Sequence, residues 1–108
     1  MVMSRPIATP PIRTDRQRLW QNWGKNISCQ PDYTFYPRTA EDLSNIIRFA
    51  RSTGQRIRAV ATGHSWSALV PTEDVLVDVT GMNKVALDLS QADAPRVTME
   101  CGATVEEV

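Results

Sequence analysis

The stretch that decides the fold is residues 33–61, YTFYPRTAEDLSNIIRFARSTGQRIRAVA. Residues 33–36 are aromatic or β-branched and precede Pro37, which is typical of a short strand that ends there. Residues 57–61 are mostly apolar and predict a second strand. A segment with helical periodicity lies between them. The stretch therefore predicts a βαβ unit, in which the two strands are parallel and the crossover is right-handed.

The predicted helix has a start signal, an apolar face and a stop signal. Thr39 supplies an N-cap hydroxyl, and Asp42 stands where the second member of a capping box reaches back to the cap. Gly54 lies where a left-handed C-cap is needed. Apolar residues recur at the i, i+3, i+4 and i+7 spacing of a helix face. They are Leu43, Ile46, Ile47 and Ala50.

Three more strands are predicted downstream of this unit. Residues 75–79 form a nearly continuous apolar run, which is typical of a strand covered on both faces. Two alternating segments then predict half-buried strands that form a hairpin and begin a second α+β subdomain. Their apolar positions are Val85, Leu87 and Leu89, then Val97, Met99 and Cys101. Residues 104–107 resemble the start of a helix, and because one turn hardly repays nucleation we interpret Val108 as a truncation point.

The amino-terminal residues carry weaker signals. We predict a loose leader over residues 1–18, which are rich in proline at the start and lack periodicity, and the N-terminal part of a larger domain over residues 19–108. No apolar run follows Arg5, so no secretory signal peptide is predicted. Trp20 and Trp23 would share one face of a helical turn, where we interpret them as packing residues rather than ligand contacts.

Composition excludes several classes of protein. Twelve basic residues balance twelve acidic ones, so nothing favours nucleic acid as a partner. No apolar run approaches the ~20 residues that span a bilayer, so no transmembrane segment is predicted. Cys29 and Cys101 lack metal-ligand spacing, so we predict no metal site and expect free thiols in a reducing, intracellular compartment.

The charges are unevenly distributed along the chain. Residues 1–58 contain ten basic and four acidic residues, whereas residues 59–108 contain two and eight. We interpret most of them as solvated surface. The alternative is that Arg56 and Arg58 lend positive potential to an anion site placed just after them.

The candidate site is the loop that follows the second predicted strand, residues 61–67, ATGHSWS. Ligands of open α/β sheets bind outside the carboxyl ends of the strands. Gly63 allows close approach of the backbone and convergence of amides on an anion, and neighbouring hydroxyls add donors. The loop therefore predicts a pyrophosphate site with Arg58 nearby. A hydrolase using His64 is disfavoured, because no orienting carboxylate and no GxSxG elbow is present.

Several segments in order resemble the N-terminal part of the FAD-binding domain of the vanillyl-alcohol-oxidase (PCMH-type) flavoprotein family. They are residues 37–43 (PRTAEDL), 58–65 (RAVATGHS), 75–78 (VLVD), 82–85 (MNKV) and 97–103 (VTMECGA). WQNW at 20–23 and GHSW at 63–66 are most similar to the sugar-1,4-lactone oxidase branch, which includes gulonolactone and arabinonolactone oxidases. The resemblance covers roughly residues 19–108 and implies an incomplete PCMH-type α+β fold.

The resemblance implies FAD as cofactor, with its pyrophosphate wrapped by the loop. The cofactor-binding residues implied are Ala59, Val60, Ala61, Thr62, Gly63, His64, Ser65 and Trp66. In many members the histidine that matches His64 is bonded covalently to the 8α carbon of the flavin. Members usually carry glycine where this chain has Ala61. No residue of this segment is assigned to catalysis.

Two functional hypotheses follow. The first is an FAD-dependent oxidase or dehydrogenase that oxidises an alcohol carbon of a sugar lactone or polyol by hydride transfer to FAD, with oxygen or another acceptor taking the electrons. The second is a non-catalytic, truncated remnant that acts at most as a weak flavin-binding or interaction module. Covalently held flavin that depends on His64 distinguishes the first hypothesis from the second.

Overall fold

A computed structural model describes residues 8–61, 71–91 and 93–104. In these ranges one helix packs on a four-stranded sheet, and two short hairpins accompany it. The elements in chain order are β1 (Thr14–Arg16), β2 (Trp20–Gln21), β3 (Ser28–Cys29), β4 (Tyr33–Phe35), α1 (Ala40–Thr53), β5 (Ile57–Val60), β6 (Val75–Asp78), β7 (Val85–Asp88) and β8 (Arg96–Met99).

The four-stranded sheet has the order β1-β4-β6-β5. Both β4 and β5 run parallel to β6, which lies between them, and Val75 of β6 is level with Tyr33 and Ile57. The predicted parallel strands of the strand-helix-strand unit are confirmed. The carboxyl ends of β4, β6 and β5 consequently meet at one edge of the sheet, which we call the carboxyl edge.

The helix begins and ends where its capping residues predict. The Thr39 hydroxyl accepts a hydrogen bond from the backbone N–H of Asp42 (3.1 Å), and the Asp42 carboxylate accepts from the backbone N–H of Thr39 (3.2 Å). Asp42 also accepts from the N–H of Arg38 (2.9 Å). Gly54 closes the helix with a φ of 70°. Aspartate thus completes the capping box in place of the commoner glutamate.

We expect Thr39→Ala to lower the free energy of unfolding by about 1 kcal/mol, because the N–H of Asp42 loses its acceptor. Ser44→Ala, at an exposed position inside the same helix, is the matched control and should change stability by less than about 0.5 kcal/mol. Urea denaturation followed by circular dichroism measures both. Equal effects of the two substitutions would contradict the cap.

The core lies between α1 and one face of the sheet. Its buried residues are Phe35, Ile46, Phe49, Ala50, Val75, Val77 and Val79. The Phe49 ring meets the Tyr33 and Phe35 rings edge to face, with centroids 5.0 and 5.7 Å apart. Ile47, predicted on the apolar face, is 49% exposed. Phe49 was missed by the prediction and covers the sheet together with Ile46 and Ala50, which leaves Ile47 at the flank of the helix.

The amino-terminal segment is more ordered than predicted. β1 pairs antiparallel with β4, so that Thr14 lies opposite Phe35, and this corrects the expectation of a loose leader for residues 14–16. Trp20 belongs to the β2–β3 hairpin rather than to a helical turn. Trp20 pairs with Cys29 in this hairpin, and the Asn22 side chain supports its turn by accepting at Oδ1 from the backbone N–H of Ile27 (3.1 Å). The extent of the domain, residues 19–108, stays a prediction.

The β7–β8 hairpin is confirmed, but its predicted half-burial is wrong. Val85 lies opposite Met99 and Leu87 opposite Val97, so one face of the hairpin is apolar. Every residue of both strands is nevertheless exposed. None of the described elements forms a layer over this face, which explains the difference from the sequence pattern. The sequence also predicts the start of a helix at residues 104–107. Residues 105–108 lie outside the described ranges, so this helix stays a prediction.

Candidate functional site

The predicted cofactor-binding residues start at the carboxyl edge. Ala59 is exposed, Val60 is buried and its carbonyl accepts from the N–H of Val79 (3.0 Å), and Ala61 is exposed in the bend after β5. Ala61 does not have a positive φ, so its methyl group causes no backbone strain. The rest of the predicted site lies outside the described residues. These residues are Thr62, Gly63, His64, Ser65 and Trp66.

The two predicted cations do not sit at this edge together. Arg56 precedes β5, at the opposite edge of the sheet, and its backbone N–H donates to the carboxylate of Asp74 (2.9 Å). Arg56 and Arg58 both line a cavity of about 300 Å³ with residues 71–74, which include Glu73. The placement of Arg56 beside the loop is therefore wrong, because β5 carries the chain from one edge of the sheet to the other. The role of Arg58 stays a prediction.

A crevice at the carboxyl edge collects donors that the sequence analysis did not single out. It has a volume of about 540 Å³ and is lined by Arg38, Thr39, Gly81, Asn83 and Lys84. Two cations, a hydroxyl and an amide thus face it, and its lining contains no carboxylate. Such a set suits phosphate oxygens, which accept strong hydrogen bonds from charged donors. The described residues at this edge therefore fit the anionic part of a dinucleotide.

Gly102 joins the β7–β8 hairpin to the carboxyl edge. Its N–H donates to the carbonyl of Met82 (2.8 Å), whose own N–H donates to the carbonyl of Val79 (2.9 Å). A Cβ at position 102 would lie 2.7 Å from the carbonyl carbon of Val79 and 2.9 Å from the oxygen of Met82. Only glycine fits so close to two backbone groups. Apart from the glycine itself, the sequence pattern carries no signal of this approach.

A second cavity lies on the face of the sheet opposite α1, under the β2–β3 hairpin. We call it the hairpin-side cavity. Its volume is about 300 Å³, and its lining includes Arg18, Trp20, Thr34, Tyr36, Leu76 and Asp78. Strand residues alternate between faces, so Thr34 and Leu76 point away from the core that Phe35 and Val75 enter. Aromatic rings and a carboxylate are thus brought together where no sequence motif predicted a site.

A polar network forms the rim of this cavity. Arg18 donates to the Asp15 carboxylate (3.1 Å) and to the Tyr36 hydroxyl (2.6 Å), which itself donates to Asp15 (2.7 Å). The hydrogen bond from Tyr36, assisted by Arg18, lowers the pKa of Asp15. Burial and the Asp15 carboxylate raise the pKa of Tyr36. The network holds the segment before β2 against the end of β4.

Asp32 ties three segments together at the amino end of β4. Its carboxylate accepts from the side chains of Arg16 (3.2 Å), Gln17 (3.1 Å) and Gln55 (3.1 Å). Burial alone would raise the pKa of Asp32, but these three donors outweigh it and lower the pKa. Asp15 and Asp32 therefore both favour the charged form in the folded chain.

We expect acid to destabilise the chain through Asp15 and Asp32. A depressed pKa stabilises the fold at pH values above the unfolded pKa, near 3.8, and this stabilisation is lost as the pH falls through the lower folded pKa. The free energy of unfolding should decrease from pH 5 to pH 3, and less so in Asp15→Asn/Asp32→Asn. The control is Asp93→Asn, in the exposed β7–β8 turn. Urea midpoints at both pH values measure the loss of stability. Identical losses in the wild type, the double variant and Asp93→Asn would contradict the role of Asp15 and Asp32.

Three further properties of the described residues concern cysteines, metal ligands and membrane-spanning helices. Both cysteines are free, with Cys29 buried and Cys101 exposed. No three His, Cys, Asp or Glu side chains within the described ranges are placed to hold a metal ion. In the same ranges, α1 is too short and too polar to cross a membrane, and no other helix is present.

Comparison with known families identifies the kind of domain that contains the carboxyl edge. The family model described as FAD binding domain matches residues 31–108, a range that begins just before β4 and includes the β7–β8 hairpin. The chain belongs to the FAD binding domain family. The expected cofactor, FAD, is thereby confirmed, and the matched range contains all eight predicted cofactor-binding positions.

Several curated relatives of this chain are named as sugar lactone enzymes. L-gulono-1,4-lactone dehydrogenase of Mycobacterium tuberculosis is 36% identical over 85 residues, which are 79% of this chain and 19% of that protein. D-arabinono-1,4-lactone oxidase of Eremothecium gossypii is 33% identical over 96 residues, covering 86% of this chain and 18% of that protein. The chain spans about a fifth of the length of the curated relatives it matches.

One solved structure has the same fold over nearly the whole chain. A solvent-stable cholesterol oxidase superposes with a TM-score of 0.77 at 28% identity, and the match covers 95% of this chain and 20% of that one. The predicted fold class, an incomplete α+β PCMH-type FAD-binding fold, is confirmed.

Proposed function

We propose that the protein to which this chain belongs is an FAD-dependent oxidoreductase that oxidises an alcohol carbon of a sugar lactone or polyol. The family match over residues 31–108 carries this proposal, and the names of the relatives supply the substrate class. Those names include both a dehydrogenase and an oxidase, which is consistent with oxygen or another electron acceptor.

The loop from Ala59 to Trp66 holds the pyrophosphate of FAD in this proposal. Three features support it: the loop leaves the carboxyl end of a parallel strand, Gly63 permits close approach of the backbone, and Arg38 and Lys84 lie at the same edge. Positive charge at that edge offsets the two phosphate charges. Ala61 lies at an exposed bend and does not have a positive φ, so its methyl group causes no backbone strain.

His64 is the proposed attachment point of the flavin. A neutral imidazole nitrogen is a competent nucleophile toward the 8α carbon. His64 would hold the flavin ring through this bond, with the imidazole N–H proton, one hydrogen of the 8α carbon and the two electrons passing to oxygen, which would be reduced to hydrogen peroxide. The bond prevents loss of the cofactor and raises its reduction potential, which favours accepting a hydride from an alcohol carbon.

FAD supplies the redox chemistry when it is bound, and this chain supplies binding and position. The Arg38 and Lys84 side chains hold the phosphates, His64 fixes the ring, and Gly102 keeps the hairpin against the edge. We assign no residue of this chain to binding of the substrate or to removal of the alcohol proton. Such roles depend on particular side chains at a site, and a fold alone does not define them.

Reduction of the flavin by substrate in the absence of oxygen tests this function. The whole open reading frame is expressed, loaded with FAD and mixed without oxygen with L-gulono-1,4-lactone, D-arabinono-1,4-lactone and a polyol such as xylitol. At least one should bleach the yellow flavin within a turnover, while the corresponding open-chain aldonate, which tests for the closed ring, should act more slowly. Flavin that stays oxidised with every lactone and polyol would overturn the substrate class.

The second functional hypothesis concerns residues 1–108 by themselves. The exposed apolar face of the β7–β8 hairpin favours it, because a cofactor cleft usually encloses most of its ligand and this hairpin encloses nothing among the described residues. We expect residues 1–108 to bind FAD more weakly than micromolar. Titration with flavin fluorescence measures the affinity, and micromolar or tighter binding would contradict the expectation.

A further inference from the structure

Strand β5 lies at one side of the four-stranded sheet, where β6 is its only neighbour among the described strands. The carbonyls of Arg56 and Val60 accept from backbone N–H groups of β6 and of the residue after it (3.1 and 3.0 Å), so they point toward β6. The backbone groups of a strand alternate between its two sides. Those of Ile57 and Ala59 therefore point away from β6, on what we call the outer side of β5.

The outer side of β5 is open to a further strand. No described residue exchanges a hydrogen bond with the backbone of Ile57 or Ala59 on that side, and Ala59 is exposed. Unpaired N–H and C=O groups of this kind are a template for an added strand. An extended peptide laid along β5 would gain main-chain hydrogen bonds without displacing a described contact.

Two arginines lie on one face of the same strand. Arg56, directly before β5, and Arg58 are two residues apart, and residues at this spacing point to the same face of a sheet. Both line the cavity of about 300 Å³ that residues 71–74 complete. Arg58 is level with Leu76, which points away from the core, so this is the face opposite α1. Side chains of an added strand on that face would meet both guanidinium groups.

The two arginines are available to a ligand. The ion pairs of the described residues lie in β1 and the segment after it, and neither of them includes Arg56 or Arg58. Of the two carboxylates in the cavity lining, Asp74 accepts from the backbone N–H of Arg56 (2.9 Å), and Glu73 is exposed, where water and salt screen its charge. Guanidinium groups bind carboxylates through paired hydrogen bonds. The cavity therefore suits acidic side chains of a strand laid on the outer side of β5.

A second copy of this chain fits the outer side of β5 poorly. If two β5 strands paired antiparallel, with Ile57 of each opposite Ala59 of the other, the two Arg58 side chains would lie directly opposite each other. Like charges in that position destabilise a sheet. An acidic strand of a different protein has no such conflict.

We infer that the outer side of β5 binds an extended acidic segment of a partner protein as an added strand. The backbone of that segment pairs with Ile57 and Ala59, which supplies affinity. Its acidic side chains, spaced two residues apart, lie beside Arg56 and Arg58 and supply specificity. Ala59 also begins the segment proposed to hold the pyrophosphate, so the binding is tested with FAD already in place.

Fluorescence polarisation measures the binding of labelled peptides to the whole open reading frame loaded with FAD. The probe alternates threonine and glutamate over about eight residues, the length of an ordinary strand, and carries a red dye whose emission is separate from that of flavin. One control peptide has every backbone nitrogen methylated, and another has lysine in place of glutamate. Only the first peptide should bind, and it should slow hydrogen exchange of the Ile57 and Ala59 amides, which locates it on β5.

Charge variants supply the second arm of the test. Arg56→Gln/Arg58→Gln should weaken binding of the glutamate peptide about tenfold, because two exposed ion pairs are lost. Arg48→Gln/Arg51→Gln removes two exposed arginines of α1 and is the matched control, which should bind like the wild type. Arg56→Glu/Arg58→Glu should bind the lysine peptide instead, and this gain shows that the variant is folded.

Four results would overturn the inference. The glutamate peptide could fail to bind up to about 1 mM. The methylated copy could bind equally well, which would exclude strand addition. Wild type and Arg56→Gln/Arg58→Gln could bind with equal affinity, which would exclude the arginines. A dimer of the loaded protein that excludes the peptide would assign the outer side of β5 to a second copy.

Discussion

Gly102→Ala is expected to lower the free energy of unfolding by about 3 kcal/mol, because the added methyl group has no room beside the backbone. The new Cβ would meet the backbone of Val79 and Met82, with 2.7 Å to a carbonyl carbon. Neither neighbour is a flexible side chain, so the hairpin has to move away from the sheet. The hydrogen bonds that link Gly102, Met82 and Val79 would then lengthen together.

A second glycine provides the control for this prediction. Gly54 has a φ of 70° but open space around its Cβ position, so Gly54→Ala costs only the left-handed backbone, about 1 kcal/mol. Urea denaturation compares the free energies of unfolding of the two variants. Hydrogen exchange of the Met82 amide reports directly on the hydrogen bonds that link Gly102, Met82 and Val79. A loss for Gly102→Ala no larger than that for Gly54→Ala would show that the hairpin is not held at this point.

His64→Ala is expected to abolish covalently bound flavin in the whole open reading frame. The wild-type protein should remain yellow after acid precipitation and washing, whereas the variant should release all of its flavin into the supernatant. The reason is that alanine has no nucleophile to bond to the 8α carbon. Non-covalent binding should survive in the variant, because the substitution leaves Arg38 and Lys84 at the carboxyl edge unchanged.

Ser67→Ala is the control for this experiment, since it removes a nucleophile of the same loop without touching the predicted attachment point. It should keep the covalent flavin. Retention of colour in precipitated His64→Ala would contradict the role of His64. Loss of colour in both variants would instead assign the effect to a damaged loop.

Local signals in the sequence predicted the central unit of the fold correctly. The Thr39 and Asp42 cap, the Gly54 stop and the run at residues 75–77 each act through neighbouring backbone groups or through burial on two faces. Such signals are readable because they do not depend on distant partners. The family's FAD chemistry was predicted by resemblance alone, as no single motif carries it.

The errors share a physical cause, which is dependence on partners far away in sequence. β1 is a strand only because β4 offers it an edge, and Trp20 is in a strand because Cys29 lies opposite. The β7–β8 alternation predicted burial, but burial requires a covering layer that the described residues do not supply.

The stoichiometry of bound FAD shows whether the whole protein is a flavoprotein. The whole open reading frame is expressed, purified, supplemented with FAD and freed of excess cofactor, and flavin and protein are then quantified in the same sample. We expect an equimolar ratio of flavin to protein. The flavin, either released from the protein or obtained as a flavin peptide after digestion, should be FAD rather than FMN. A colourless protein that also fails to take up added FAD would contradict it.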